Sequence, residues 1–296
     1  MVAPAVLPAF DPGFTLSALG FVAGGVVLGT LSGLTPGLHA NNFALLMAAV
    51  APSIPGPPAL VGAAMLGAGV THTFLDVVPA LALGVPDAAM AAAALPGHRL
   101  VLEGSGREAL RLSALGSVLA VLFAVPLAIP MTRLMVRAYA HIDANLPLVL
   151  GAVALLLILT ERGLRERIGG GLAFGASALL GYALLRAYDA PLDAGGLLMP
   201  LFGGLFGAPV LLDAIGGEGI PPQGTSEVSS PRRSVGVAAF LGTGAGAIVG
   251  YIPGVSSAIA ATAVLPAIPD GGDDGARGFL VATSAVNTSN ISCRHD

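Results

Sequence analysis

The chain has 296 residues, a net charge of −4, 55% hydrophobic and 10% charged residues, and a mean hydropathy of +0.85. A soluble domain carries about 25% charge, so this balance excludes an ordinary water-soluble protein and points to the bilayer as the solvent. The small, scattered charge sets nucleic acid aside as a partner, and the single cysteine, Cys293, excludes an internal disulfide and a cysteine-rich metal site. No basic stretch precedes the first apolar run, so no cleavable signal peptide is expected.

In chain order, the apolar runs and their breaks predict the following elements. Phe14 to Leu34 is a helix broken at Thr35-Pro36-Gly37, and Leu38 to Ala51 follows it up to a proline-rich turn. Ala59 to Val77 is a spanning helix, and Pro79 to Leu95 is interrupted at Gly84-Val85-Pro86-Asp87, with Asp87 placed to cap the helix after it. Four cleaner spans come next: Ala109 to Ile129, Leu146 to Thr160, Ile168 to Leu185 and Gly195 to Leu212. Between the first two of these, Pro130 to Asp143 reads equally as a short interfacial helix or as a loop. A polar loop, Gly216 to Ser234, leads to Val235–Ile252, broken at Pro253-Gly254, then to Val255–Ile268 and a last helix from near Ala276. This gives four regions: 14–106, a first repeat with broken helices; 107–214, four connecting helices; 215–234, a polar loop; and 235–296, a second, incomplete repeat.

Arginine placement orients these spans. Arg99, Arg107 and Arg111, then Arg162, Arg165 and Arg167, then Arg232 and Arg233 fall on one side, read as cytoplasmic. Asp189 and Asp193 fall outside, and so do Arg133 and Arg137, against the rule.

The repeat is carried by glycine. Gly25, Gly29, Gly33 and Gly37 match Gly242, Gly246, Gly250 and Gly254 at a shift of 217 positions, and Pro36 and Pro52 fall on Pro253 and Pro269. With one deletion, "GVTHTFL" (Gly69 to Leu75) aligns with "AVNTSNI" (Ala285 to Ile291). Glycine ladders let helices pack closely. A Pro-Gly break ending each ladder is also the pattern of discontinuous transporter helices, which bind solute between inverted repeats. Treating each broken unit as a hairpin makes the first open outside and the second inside.

Freed backbone groups at a membrane break need protein or water partners, and half-helix ends attract ions. Thr35, Gly37, His39, Asn41 and Asn42 at the first break are therefore candidate substrate- or ion-binding residues, with N-capping as their structural alternative. Gly254, Ser256 and Ser257 are their counterparts at the second break. On the spanning helix, Thr71, His72, Thr73 and Asp76 form a further group. His72 and Asp76 are four apart, on one face, where they could relay a proton unless Asp76 is simply solvated at the interface. Asn287, Thr288 and Ser289 are the counterparts, suited to sodium, to a hydrated anion or to interhelical hydrogen bonding alone. No His-x-x-x-His, Gly-x-Ser-x-Gly or P-loop is present, so an enzyme is not expected.

These units, "GLTPGL" and "GYIPGV", resemble the repeated glycine-rich signature of the tripartite tricarboxylate transporter permease family, the large membrane subunit. The stretch "VPALALGVPDAAMAAAALPGHRLVLEGSGREALRLSALGS" is similar to that family's broken hairpin and following basic helix. The resemblance runs from about Gly25 to Asn290 and is strongest to a shorter, archaeal-like branch of unassigned substrate. It implies a secondary transporter of small organic anions driven by an ion gradient, in the main family assisted by a small membrane subunit and an extracytoplasmic binding protein. Where the family's second repeat carries an acidic "PExANN" stretch, this chain has "AVNTSN", and "SCRHD" does not continue an apolar helix, which reads as a truncation. The expectation is thus an all-α, polytopic membrane protein with two Gly-rich helix-break-helix units in an inverted repeat, the second truncated. It moves a carboxylate-like anion across the cytoplasmic membrane and holds no cofactor beyond a coupling Na+ or H+. The alternative is a channel-like or structural subunit without coupled transport.

Overall fold

The computed structural model describes residues 11–35, 51–54, 56–84, 91–161, 163–187, 204–205, 208, 212, 215, 219–225, 227–252, 255–268 and 273–293. All regular structure among them is helical. Ten α-helices follow in order: α1 Pro12–Leu34, α2 Pro58–Leu75, α3 Val77–Leu83, α4 Ala91–Leu102, α5 Gly106–Ala144, α6 Leu146–Thr160, α7 Leu164–Ala187, α8 Arg232–Val249, α9 Ser257–Val264 and α10 Asp273–Cys293. Three are long and apolar enough to cross a membrane: α1, α2 continued by α3 (Pro58–Leu83), and α5.

Local chemistry sets the ends. Asp11 caps α1, its Oδ1 accepting from the backbone N–H groups of Gly13 and Phe14, and Pro12 takes the first helical position. The helix therefore starts two residues before the apolar run does. It ends at Leu34, ahead of Pro36, as the sequence predicts. α8 ends at Val249 and α9 starts at Ser257, so the second break also falls where expected. Gly84 closes α3 at φ 65°, a left-handed cap that only glycine adopts freely, with its N–H donating to the Ala80 carbonyl.

Several spans differ from expectation. The helix placed at Ala59–Val77 runs from Pro58 and continues, after a turn at Asp76, to Leu83. The span expected at Ala109–Ile129 is a 39-residue helix that includes Pro126 and Pro130, so 130–143 is neither a loop nor a separate interfacial helix. Both prolines sit on the exposed side, away from α8 and α10, where a lost backbone bond disturbs no packed neighbour. At 1.5 Å per residue α5 is about 58 Å long, close to twice the ~30 Å hydrocarbon thickness. Arg133 and Arg137 ride on its C-terminal third, so their violation of the charge rule is read on a helix that outruns the membrane. α6 matches Leu146–Thr160, and α7 extends the expected Ile168–Leu185 at both ends. Most of the span expected at Gly195–Leu212 lies outside the described residues.

The two glycine ladders are packing surfaces of the same kind. A Cβ at Gly25 would strike the Ala64 carbonyl, one at Gly29 the Ala68 carbonyl, and one at Gly33 would lie 2.9 Å from the His72 carbonyl oxygen. The contacts climb both helices together, so α1 and α2 run parallel. In the second unit Gly242, Gly246 and Gly250 abut the carbonyls of Ala282, Val286 and Asn290, again in parallel. These contacts pair Ala64 with Ala282 and His72 with Asn290, a shift of 218. The sequence alignment, which set Gly69 on Ala285, is two residues out of register because it matched polar side chains rather than backbone contacts.

The packed centre is α10. Every residue from Gly278 to Ser289 is buried, enclosed by α5, α8, α9, α4 and α2. Gly116 of α5 lies against the Val281 carbonyl, and Val281, Ala282, Ala285 and Val286 join Leu112, Ala120, Ala238 and Ala239 in the main apolar cluster.

Candidate functional site

A helix buried on all sides would be expected to be apolar. α10 instead buries Thr283, Ser284, Asn287, Thr288 and Ser289. Two of these satisfy themselves within the helix: Thr283 Oγ1 donates to the Phe279 carbonyl and Ser289 Oγ to that of Val286. Others reach neighbouring helices. Ser284 Oγ is 2.8 Å from Ser113 Oγ of α5, and Asn287 Nδ2 donates to Asp76 Oδ2 at 2.7 Å. Asn290 Nδ2 donates to Ser257 Oγ of α9 at 2.9 Å.

Facing α10, the C-terminal end of α2 presents a second polar set. His72 is 2% exposed and Asp76 4% exposed, and Thr73 is buried beside them. The His72 ring Nδ1 is hydrogen-bonded to Ser32 Oγ of α1 at 2.9 Å, and Ser32 also donates to the Gly29 carbonyl. Thr73 Oγ1 donates to the Val70 carbonyl. Ser32 was not foreseen, although its place one residue before Gly33 puts it on the ladder's face. Asp76 is buried at the turn between α2 and α3.

The structure thus joins the two polar helices through Asp76 and Asn287; His72 is turned to Ser32 of α1, and Ser289 lies against Gly246 of α8. Thr71 is half-buried on α2. Thr35 and Ser256 have backbone duties instead. Exposed Thr35 donates to the Leu31 carbonyl at the end of α1, and Ser256 caps α9 by accepting from the Ile259 N–H. Ser257 joins α10 through Asn290 rather than standing alone. Gly37, His39, Asn41, Asn42 and Gly254, like Asp87, lie outside the described residues. Among the described residues no cluster of three or more His, Cys, Asp or Glu could hold a metal ion.

A second, partly buried polar network, centred on buried Glu108, lies where α5 and α10 begin. Arg277 Nε and Nη2 bond Glu108 Oε1 and Oε2 at 3.1 and 3.0 Å, and Glu108 Oε1 also accepts from the N–H and Oγ of Ser229. Gln223 supplies the cap that Ser105 does not: its Oε1 accepts from Gly106 N–H, and its Nε2 donates to the carbonyls of Val101 and Pro221. Nearby, His98 Nδ1 donates to the Leu81 carbonyl at 2.7 Å. Sequence reasoning missed all of these. Apart from Pro221, their partners are 17 to 169 positions away, and no local spacing announces them.

Comparison with known proteins agrees with the earlier resemblance. The model of the tripartite tricarboxylate transporter TctA family matches residues 19–294. A protein of Methanocaldococcus jannaschii named "Uncharacterized protein MJ1079" is 31% identical over 241 residues, covering 79% of this chain and 57% of that protein. The chain therefore spans a little over half the length of this relative. No solved structure matches. A family model covering nearly the whole chain, together with three apolar spans, makes this a helical membrane protein and not an enzyme, and the chain belongs to the tripartite tricarboxylate transporter TctA family.

Proposed function

We propose that the chain is the permease part of a secondary transporter in the cytoplasmic membrane. It crosses the membrane several times and moves a small, carboxylate-like organic anion at the expense of an ion gradient. A small membrane subunit and an extracytoplasmic binding protein are its partners on this reading. The observation that carries it is the polar seam between α2 and α10. Burying hydroxyls, an amide, a histidine and a carboxylate in the apolar interior of a membrane protein is costly, and such groups mark solute and ion paths.

The directions of the helices support an inverted repeat. Gly97 of α4 abuts both Leu81 and Leu280. From there α3 leads back to Asp76 while α10 leads forward to Asn287, and these two meet. The α2–α3 segment and α10 therefore run in opposite directions, and each ladder pair is parallel within itself. That is the arrangement expected of two oppositely inserted units, with a binding region where they face each other. The solute-contacting set on this reading is His72, Thr73, Asp76, Asn287, Thr288 and Ser289, joined by residues of the two breaks.

The test is uptake by proteoliposomes of a panel of labelled di- and tricarboxylates under imposed sodium or proton gradients. Accumulation that collapses with an ionophore is the expected result. Flux indifferent to both gradients would favour the channel-like alternative, and no flux of any anion would favour a structural subunit.

A further inference from the structure

We propose that the seam between α5 and α10 is a hydrated path from the molecular surface to the contact between Asp76 and Asn287, and that the segment from Pro221 to Ser229 is the strap that closes its mouth. The ligand of this path is water, with any small cation that water carries. The proposal rests on the permease reading above and names the route by which its polar seam reaches one side of the membrane.

The path is a series of polar side chains on two facing helices. Glu108 meets Arg277, and further along the same helices Ser113 meets Ser284, so α5 and α10 run in the same direction. One turn beyond that pair, Ser117 and Thr288 hold the next positions of the same faces. Ser113, Ser117, Ser284 and Thr288 are all 0% exposed. Asn287, beside Thr288, is the residue that meets Asp76. Polar groups thus recur along the seam from the first turn of α5 to Ser117, about 16 Å from Gly106 at ~1.5 Å per residue.

Ser117 is the group that calls for water. A helical hydroxyl ordinarily turns to the carbonyl one turn back, as Thr243 does to Ala239 and Thr283 to Phe279 on the neighbouring helices. Among the described residues, Ser117 Oγ has no hydrogen-bond partner, although the residue is fully enclosed. Such an orphan is costly, and a bound water shared with other polar groups is its usual remedy. Those groups stand one turn back. Ser113 and Ser284 share a single hydrogen bond, which leaves a hydroxyl proton and further lone pairs between them.

The mouth is closed by a segment without regular structure but with many ties. Gln223 Oε1 accepts from Gly106 N–H, and its Nε2 donates to the Val101 carbonyl. Gly224 N–H donates to the Gly104 carbonyl at 2.8 Å, and Val228 packs on the main apolar cluster. Ser229 gives its N–H and its Oγ proton to Glu108. Each of these polar ties falls on the turn between α4 and α5 or on the first turn of α5, where the path begins. All are only partly buried, and Ser229 itself is exposed. The strap can therefore lift without unfolding a helix, and lifting it uncovers the end of the seam held by Glu108 and Arg277.

The test is the accessibility of introduced thiols to silver ion in the purified full chain, in a Cys293→Ser background. Ag+ is small and charged, so it reaches a buried thiol only through water. A thiol that it has captured no longer takes up a maleimide dye when the chain is then denatured. Ser117→Cys and Ser284→Cys should be captured. Val286→Cys, equally buried on α10 but in the apolar cluster, should not. Adding Gln223→Ala and Ser229→Ala should speed capture in Ser117→Cys about tenfold, the rise in open population expected from losing hydrogen bonds of this kind. Size-exclusion profiles check that each variant is folded. Capture in Ser117→Cys and Ser284→Cys no faster than in Val286→Cys, with the strap intact or loosened, overturns the path and leaves the hydroxyls as contacts between helices. Fast capture that the strap substitutions do not change overturns the strap. Gradient-driven uptake with both thiols inert would sink this inference alone, whereas captured thiols in a chain that moves no solute would sink the permease reading alone.

Discussion

The pairs α1/α2 and α8/α10 are built on one plan and live in different surroundings. In both, glycines four apart bring one helix onto the carbonyls of the next at near-identical spacing. In the first pair, α1 buries only Gly25, Gly29, Ser32 and Gly33 and turns Leu16, Leu19, Val27 and Leu31 outward. In the second, α10 is enclosed on every side. The difference teaches that the ladder specifies a helix contact and nothing more. Burial is decided by the third helix: α5 lies against α8 and α10, and the exposed side of α1 offers mostly apolar side chains, with the hydroxyls of Ser17 and Thr30 turned to their own helix. Polar partners follow the same division. His72 bonds within its pair, to Ser32, whereas its packing counterpart Asn290 bonds outside its pair, to Ser257.

The largest expected effect should fall on one pair only. Arg277 ties α10 to Glu108, and its packing counterpart in the first pair is Ala59, which can make no such tie. Arg277→Ala leaves Glu108 buried with only Ser229, and breaking a buried pair in this way costs about 3–5 kcal/mol. Thermal unfolding in detergent should show it, and a loss below about 1 kcal/mol would mean that water already reaches the pair. Next come Gly246→Val and Gly29→Val. Each side chain would collide with a backbone carbonyl that cannot step aside, an overpacking cost of about 1–3 kcal/mol. Gly246→Val should be the worse of the two, because Ser289 Oγ also occupies its space and α10 has nowhere to retreat. Gly244→Ala, which meets nothing within 4 Å, is the control, expected within about 0.5 kcal/mol of wild type. Equal losses for the two valines in a heat-challenge size-exclusion assay would erase the contrast between enclosed and lipid-facing pairs. The smallest effects are Ser32→Ala and Ser257→Ala, about 1 kcal/mol each for one hydrogen bond. Here the first should loosen α1 from α2 and the second α9 from α10, readable by hydrogen exchange in α1 and in α9 respectively.

What could be read in the sequence follows from how local its signals are. The ladder glycines, the breaks before Pro36 and Pro253, the cap at Gly84 and the helix Leu146–Thr160 are local in sequence, so composition and spacing revealed them. His72, Asp76, Asn287, Thr288 and Ser289 were legible as polar residues on apolar helices, and the meeting of their helices, seen at Asp76 and Asn287, was anticipated through the repeat. The register of that meeting was not, since the alignment and the backbone contacts differ by two positions. α5 was cut short at Ile129, ahead of Pro130, yet both Pro126 and Pro130 lie inside it on an exposed face, where the missing bonds disturb nothing packed. Glu108, Ser229, Gln223 and Arg277 were invisible as a set. A polar residue in a polar loop carries no mark of a partner more than a hundred positions distant.

The tie at the start of α5 also has a history in time. Gly106 gives its N–H to Gln223, and Glu108 gives its carboxylate to Ser229 and Arg277, all far downstream. While the chain is being synthesised, α5 must enter the membrane before any of these exists. Its first turn, with an acidic side chain and an uncapped amide, therefore waits in water or headgroups until more than a hundred further residues have emerged. The N-terminal end of α5 is thus the last part of that helix to settle. Its settling records that α10 has arrived, so a nascent chain stalled before Arg277 should leave this end open to proteases that the finished protein excludes.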